Sequence, residues 1–391
     1  MKLTFIHDGP LFYDNKGNYF EFAYHELYER YSYLADEIFF LMRTKPIEGS
    51  KKFTIVPNQV NVVSVPNFKK IRNYCIKRKE ASVIVEKQVK NSDYLVLRLP
   101  SSIAQLALVY IKKYNKPYIV ECVGCAWDSY WNYGLLGKFI APFVFLQTRS
   151  AIRKSKYVYY VTNKFLQRRY PTNGKTVSCS NVVIEHMNKS ILEKRLEKIN
   201  LFDPKNKIIL GTAAAIDTRY KGHEYVIRSI PELLKKGFNV EYQLAGGVTG
   251  QKRNTFLLDL AKSLHVEDRV IFCGSLSSQE MERYYDSLDI YIQPSKQEGL
   301  PRAVIEAMSR GCPVLGTNIA GIPELISNEC LFEKGSSIEV IKAIERILKM
   351  NLCDIAIGNF NKAKEYEREK LISRRNEFYD MFLSDMRVYG N

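Results

Sequence analysis

The stretch Ser295–Ile326 reads SKQEGLPRAVIEAMSRGCPVLGTNIAGIPELI, with glutamates at 298 and 306 and the turn Ala320-Gly321-Ile322-Pro323-Glu324 near its end. Before it, Asp289-Ile-Tyr-Ile-Gln293 is a short apolar run that favours β structure, and Pro294 to Leu300 breaks it. Pro301 suits the first position of a helix, where its missing N–H costs nothing, so a helix is expected over 301–309. Gly311 is placed for a left-handed C-cap, and Pro313-Val-Leu-Gly316 has the length and character of a buried parallel strand. Gly321, Ile322 and Pro323 then start a second helix. A succession of strand, loop, helix, strand, loop, helix places its ligand-binding loops at the carboxyl ends of the strands. Glu298 falls in one such loop and Glu306 one helical stretch later. The helix N-termini expected at Pro301 and Ile322 bring unpaired N–H groups to one crevice, which suits a phosphate or diphosphate.

The flanking sequence extends the pattern. Lys207-Ile-Ile-Leu-Gly211 opens a strand, and after Thr218-Arg-Tyr-Lys-Gly222 the run from His223 to Ile230 has helical spacing. Val240–Gly247 and Val270–Gly274 are two further strand-then-glycine units, separated by a helix around 254–264. Backbone at such glycines can approach a flat ring closely, so Cys273-Gly274-Ser275 is a candidate edge for a nucleobase. In the first half, strands are expected at 3–6, 62–65, 94–98, 118–120, 157–162 and 176–184, with helices over 21–42 and 104–114. That half also reads as an open α/β sheet. At 391 residues, 46% of them hydrophobic, the chain has material for two cores. The junction is expected between Glu185 and Pro204, giving a first domain over 1–190, a linker over 191–205 and a second domain over 206–370.

Charge separates the halves. Residues 1–200 carry 32 Lys and Arg against 16 Asp and Glu, whereas residues 201–391 carry 26 of each, so the whole net charge of +16 lies in the first half. A basic half beside a neutral one implies an anionic partner, and nucleic acid, an anionic membrane surface and an acidic glycan are the choices. Basic clusters stand at Lys69, Lys70 and Arg72, at Lys77-Arg78-Lys79, and at Arg149, Arg153, Lys154 and Lys156. The last follows the apolar stretch Gly134–Leu146, interrupted by Lys138. Such a stretch either lies in a bilayer interface or packs its apolar face inward; the sequence leaves both open.

No run is long and apolar enough to span a membrane, and the opening Lys2–Ile6 is too short and too soon broken for a signal peptide. Eight cysteines without an export signal imply reduced thiols in a cytoplasm. Cys122 and Cys125 are the one close pair, and neither they nor the five scattered histidines stand at metal-ligand spacing with partners. No cofactor is implied.

Glu-Gly-Leu-Pro with a second glutamate after seven residues, then Gly-Cys-Pro-Val and the Gly-Ile-Pro-Glu turn, resembles the donor site of the family 4 glycosyltransferases of the GT-B fold. The resemblance implies two Rossmann-like α/β domains facing across a cleft, with residues 371–391 a helix crossing back to the first. It also implies a nucleotide diphosphate sugar as donor, a glycan or lipid-linked acceptor, and retention of anomeric configuration. By resemblance Glu306 holds the ribose hydroxyls, Glu298 the hydroxyls of the donor sugar, and Gly299, Leu300 and Gly321 the walls of the donor loop.

Lys221-Gly222 matches the family's diphosphate-gripping Lys-Gly element. Its arginine partner commonly follows the first strand's glycine, where this chain has Thr212, so Arg219 is the candidate. Negative charge building on a leaving diphosphate must be met by a metal or by fixed positive groups. The chain has no Asp-x-Asp element, so Lys221, Arg219 and the helix N-termini are expected to serve without a metal. The histidine that many members carry in the first domain is absent from Val120–Asp128, leaving Asp128 or Glu121 as acceptor-side candidates. Gly17 is the counterpart of the glycine loop that closes over the donor.

Three functions compete: a retaining, metal-independent hexosyltransferase of cell-envelope polysaccharide synthesis, peripheral on the cytoplasmic face of the membrane; another GT-B enzyme such as a nucleotide-sugar epimerase; and a nucleic-acid-binding protein using the basic half. No zinc-finger, RRM or basic-zipper signature supports the third, so no nucleic acid is expected.

Overall fold

A computed structural model describes all residues except 22–26, 48–53, 69–73, 132–133, 186, 248–254, 390 and 391. The cluster Lys69, Lys70 and Arg72 lies outside the described residues, as do His25 and His186. The chain forms two α/β units, one of residues 1–179 with 373–391 and the other of residues 180–372.

In the first unit the strands are β1 (Lys2–Tyr13), β2 (Tyr19–Glu21), β3 (Glu37–Pro46), β4 (Thr54–Ile55), β5 (Val60–Ser64), β6 (Tyr94–Leu99), β7 (Tyr118–Cys122), β8 (Tyr157–Tyr160) and β9 (Lys175–Ser178). Parallel strands run in the order β5-β3-β1-β6-β7-β8-β9, and β2 and β4 add a short antiparallel ribbon at the end of β1. The second unit holds β10 (Ile208–Ala213), β11 (Val240–Ala245), β12 (Val270–Gly274), β13 (Ile290–Gln293), β14 (Val314–Thr317) and β15 (Leu331–Phe332). All pair in parallel, in the order β12-β11-β10-β13-β14-β15. That order reverses between β10 and β13, the point at which doubly wound sheets open a crevice above their strand ends.

Four expectations are corrected. The helix expected over 21–42 is a short helix, Leu27–Ser32, followed by β3. Ile38-Phe-Phe-Leu-Met42 lies largely buried in mid-sheet, and a short buried apolar run carries no periodicity that separates strand from helix. Asp8-Gly9-Pro10 does not end the first strand; β1 passes through it with a register shift against β3 between Ile6 and Pro10. A bulge lets the ladder absorb a proline that cannot donate.

The supposed linker over 191–205 is mostly helix, Lys189–Asn200, and it belongs to the second unit, which begins at Ser180. Buried Arg195 holds it there, donating to the carbonyls of Leu288 (2.7 Å), Tyr285 (2.7 Å) and Arg310 (3.1 Å). The helix expected from Gly321 is one 3-10 turn, Ile322–Glu324, stopped where Ser327 takes an extended backbone.

Glu121, weighed as an acceptor-side carboxylate, is fully buried. It takes Arg98 on one oxygen (2.9 Å) and Tyr31 on the other (2.8 Å), with Arg30 at 3.8 Å. Burial pushes its pKa up, but the two arginines overcome this and hold it below the ordinary carboxylate value. It braces the sheet and is closed to substrate. Cys122 and Cys125 are buried free thiols.

Candidate donor-binding site

The site is built on the carboxyl ends of β10, β12, β13 and β14. The final residue of β13, Gln293, accepts the Tyr291 hydroxyl (2.6 Å) and turns its amide to Ser295 Oγ (2.9 Å) and Glu298 Oε1 (2.9 Å). Ser295 Oγ donates to the same carboxylate oxygen at 2.7 Å, and Lys221 Nζ, from the 3-10 turn Arg219–Lys221 after β10, reaches it at 2.7 Å. Three donors thus converge on Oε1, while Oε2 has no hydrogen-bond partner among the described residues. A carboxylate so held is fixed in orientation before any ligand arrives, with one oxygen left to accept.

Lys221 and the Glu298 loop are brought together by a close backbone approach. Gly222 takes φ +76°, and a Cβ there would run into the Pro294 carbonyl. The next residue, His223, is buried beside Tyr242 OH (3.2 Å) and the Ala215 carbonyl (3.3 Å), and burial holds its pKa down at about 4. It is a neutral brace beneath the turn. The Arg219 guanidinium lies 4.0 Å from the centroid of the Phe256 ring, and the residue is exposed to solvent. Thr212 is fully buried, its hydroxyl on the Ile292 carbonyl (2.6 Å), so the cation wanted at that point has no place on β10.

Gly299, Leu300 and Gly321 form one surface. The Gly321 N–H donates to the Gly299 carbonyl (2.9 Å), and a Cβ on Gly321 would stand 2.7 Å from that oxygen and 3.0 Å from Leu300 Cδ1. Only glycine allows the β14 loop to lie on the Glu298 loop. Pro301 caps helix Arg302–Ser309 from an extended backbone, one position earlier than expected. On that helix Glu306 accepts the Tyr285 hydroxyl on Oε2 (2.8 Å) and lines a cavity of about 230 Å³ with Ile184, Leu276, Met281, Tyr285 and Arg310. Burial first, and then the neighbouring carboxylate, push the Tyr285 hydroxyl pKa well up, so it remains a donor. Gly274 ends β12 at φ +72° with open space where a side chain would be.

Gly17 and Asp128 belong to the first unit. Gly17 turns a hairpin between β1 and β2, at φ +82°, rather than a loop leading into a helix, and Asp14 ties that turn through Lys16 N–H and Asn18 N–H, both at 2.9 Å. Asp128 sits in the first turn of helix Ala126–Trp131. Gln293, Ser295 and Tyr285 carry no motif in the sequence, although they orient both glutamates. The signal in the sequence is a polar Gln293 closing an apolar strand, and the structure leaves it 1% exposed. Among the described residues no group of three or more His, Cys, Asp or Glu is placed to hold a metal ion.

Two α/β units, each built on a parallel sheet whose strand order reverses near its middle, give the GT-B fold. The model of the "Glycosyl transferases group 1" family matches residues 207–350, the stretch that carries this site. Protein CapJ of Staphylococcus aureus is 30% identical over 395 residues, spanning 99% of this chain and 93% of that protein. The chain belongs to the group 1 glycosyltransferases. The O-antigen biosynthesis glycosyltransferase WclY of Escherichia coli is 33% identical over 128 residues, a third of each chain. Among solved structures, Anabaena HepE in complex with UDP superposes with TM-score 0.67 over 98% of this chain and 100% of that one, at 15% identity.

Proposed function

We propose that this chain is a family 4 type, retaining and metal-independent transferase. It moves a hexose from a nucleotide diphosphate sugar to a glycan or polyprenyl-linked acceptor of cell-envelope polysaccharide, at the cytoplasmic face of the membrane. The carrying observation is the Glu298 carboxylate, locked on Oε1 by Lys221, Gln293 and Ser295 with Oε2 open. A half-satisfied, pre-oriented carboxylate suits a sugar hydroxyl, and a lysine 2.7 Å from it suits the adjoining diphosphate. Glu306, with one oxygen held by Tyr285, accepts the ribose hydroxyls. Gly274 borders the nucleobase, Gly299, Leu300 and Gly321 wall the sugar, and Arg219 swings from Phe256 onto the phosphates. In the first unit, Gly17 closes over the donor and Asp128 orients the acceptor.

The chemistry follows from those positions. The bond between the anomeric carbon and the diphosphate oxygen breaks as the acceptor oxygen attacks the same face, and the acceptor proton passes to the departing phosphate. Charge growing on that phosphate is met by Lys221 and Arg219, which accounts for turnover without a metal. The setting in envelope polysaccharide is supported by the likeness to WclY, whose name places that protein in O-antigen biosynthesis.

The test is incubation with UDP-, GDP- and ADP-sugars, with and without EDTA, following product anomeric configuration by NMR. Transfer of one sugar with retention, undiminished by EDTA and weakened by Glu306→Ala, is expected. Isomerisation of the donor without transfer would favour an epimerase instead.

A further inference from the structure

Helix Gly134–Arg153 is packed with its small residues inward. Gly137, Ala141, Thr148, Ala151 and Ile152 are its buried positions, while Leu135, Leu136, Phe139, Ile140, Phe143 and Leu146 are exposed, Phe139 at 83% and Leu135 at 77%. At 100° per residue those six side chains share one arc of about 140°, on the side away from the sheet. Of the two arrangements open to this stretch, inward packing of these six side chains is therefore excluded; Phe145 and Ile152 are the large ones that pack inward. Six large hydrophobes on about three turns form a continuous apolar stripe, and monomeric proteins rarely leave such a stripe to water.

What surrounds the stripe selects its occupant. Lys138, Arg149 and Arg153 are exposed along one edge of the arc, and Lys154 and Lys156 follow the helix. Between Asp128 and Glu185 the chain has nine Lys and Arg and no acidic residue. By the observed division, the first unit carries 31 Lys and Arg against 16 Asp and Glu, and the second 27 against 26. Trp131, 40% exposed, stacks on Trp127 with ring centroids 5.0 Å apart, and the Lys138 ammonium lies 5.7 Å from its ring. An apolar stripe edged by cations, with an amphipathic aromatic at its rim, matches the depth profile of an anionic leaflet: acyl chains, then ring-tolerant interface, then phosphate. The rim of a protein–protein interface is polar but has no need of cations alone, whereas an anionic leaflet does. No described helix is long and apolar enough to cross a membrane, so a bilayer could meet this helix only along its side.

We propose that helix Gly134–Arg153 docks this chain on an anionic lipid bilayer, its six apolar side chains entering the boundary between headgroups and acyl chains. This deepens the membrane location given above, and rests on that reading only for the purpose of docking. The experiment is flotation of the full chain with vesicles of phosphatidylcholine alone or mixed with phosphatidylglycerol.

Binding to the mixed vesicles is expected to exceed binding to the neutral ones at least about tenfold at low salt, and to weaken as salt shortens the Debye length. The double variant Phe139→Ser/Phe143→Ser is expected to lose about a hundredfold in partitioning, and Arg149→Gln about fivefold. Since Phe139 and Phe143 are exposed, melting temperature and nucleotide-sugar protection should not move in the serine variant. The proposal is overturned if the wild type ignores both vesicles, if the serine variant binds as well as the wild type, or if the stripe instead mediates dimers that the same variant dissolves. Docking without sugar transfer would refute the chemistry above and leave the docking intact.

Discussion

Replacing Lys221 by methionine separates a structural role from a catalytic one. Its ammonium is 2.7 Å from Glu298 Oε1, with the two side chains 21% and 8% exposed. In the folded protein the loss is limited, because Oε1 keeps Gln293 and Ser295 as donors. One charge-assisted bond is then forfeited, about 1–2 kcal/mol, which lowers the melting temperature of a unit this size by roughly 2–8 °C. The cost to catalysis is expected to be larger. Charge collects on the leaving diphosphate only as the bond breaks, so a fixed cation beside it is felt mainly in kcat. One such group is worth on the order of a hundred- to a thousandfold. Initial rates at saturating donor, with donor affinity and thermal unfolding measured in parallel, resolve the two. The expected pattern is a large fall in kcat, a small change in KM and partial recovery in Lys221→Arg. A variant that melts several degrees lower yet turns over within a few fold of the wild type would show that the pair only holds two loops together, and the role given to Lys221 would be wrong.

The remaining predictions concern acid, backbone and orientation. His7 and His223 are each held at a pKa of about 4 by burial, below the unfolded value near 6.5. The unfolded chain therefore takes up protons first, and stability falls between pH 6.5 and 4, with about 2 kcal/mol lost per histidine by pH 5. Urea midpoints at neutral pH and near pH 5 should converge for His223→Asn relative to the wild type; an unchanged difference would refute the assignment. Gly222→Ala forces a side chain into the Pro294 carbonyl at a positive φ, and should cost about 3 kcal/mol or more in unfolding free energy together with donor binding. Tyr285→Phe leaves Glu306 in place without its fixing bond, so titration calorimetry should find nucleotide affinity reduced about fivefold, less than for Glu306→Ala.

Legibility followed the backbone. Where two loops touch, only glycine fits, and such glycines announce themselves. Gly222 lies against Pro294, and Gly321 against Gly299 and Leu300, so these loops leave their geometry in the sequence as Lys-Gly and Gly-Ile-Pro-Glu. The side chains that aim the glutamates left no such trace, because a glutamine, a serine and a tyrosine are each ordinary at a strand end or on a helix. β3 is illegible for the converse reason: a run buried on both faces has no periodicity to show. The charged helix Lys189–Asn200 looked like a linker because the residue that binds it, Arg195, pairs with three carbonyls, which carry no sequence signature.

Helix Gly134–Arg153 presents the subtlest case. An apolar stripe of one period looks the same whether it faces the core or the solvent, so hydrophobic periodicity could not orient it. The opposite stripe could have. Gly137, Ala141, Thr148 and Ala151 let a helix approach its own protein closely, and a helix that gives its smallest side chains to the core has spent its largest ones elsewhere. In a unit with almost all the net positive charge of the chain, that asymmetry is the physical signature of a surface made to meet something both apolar and anionic.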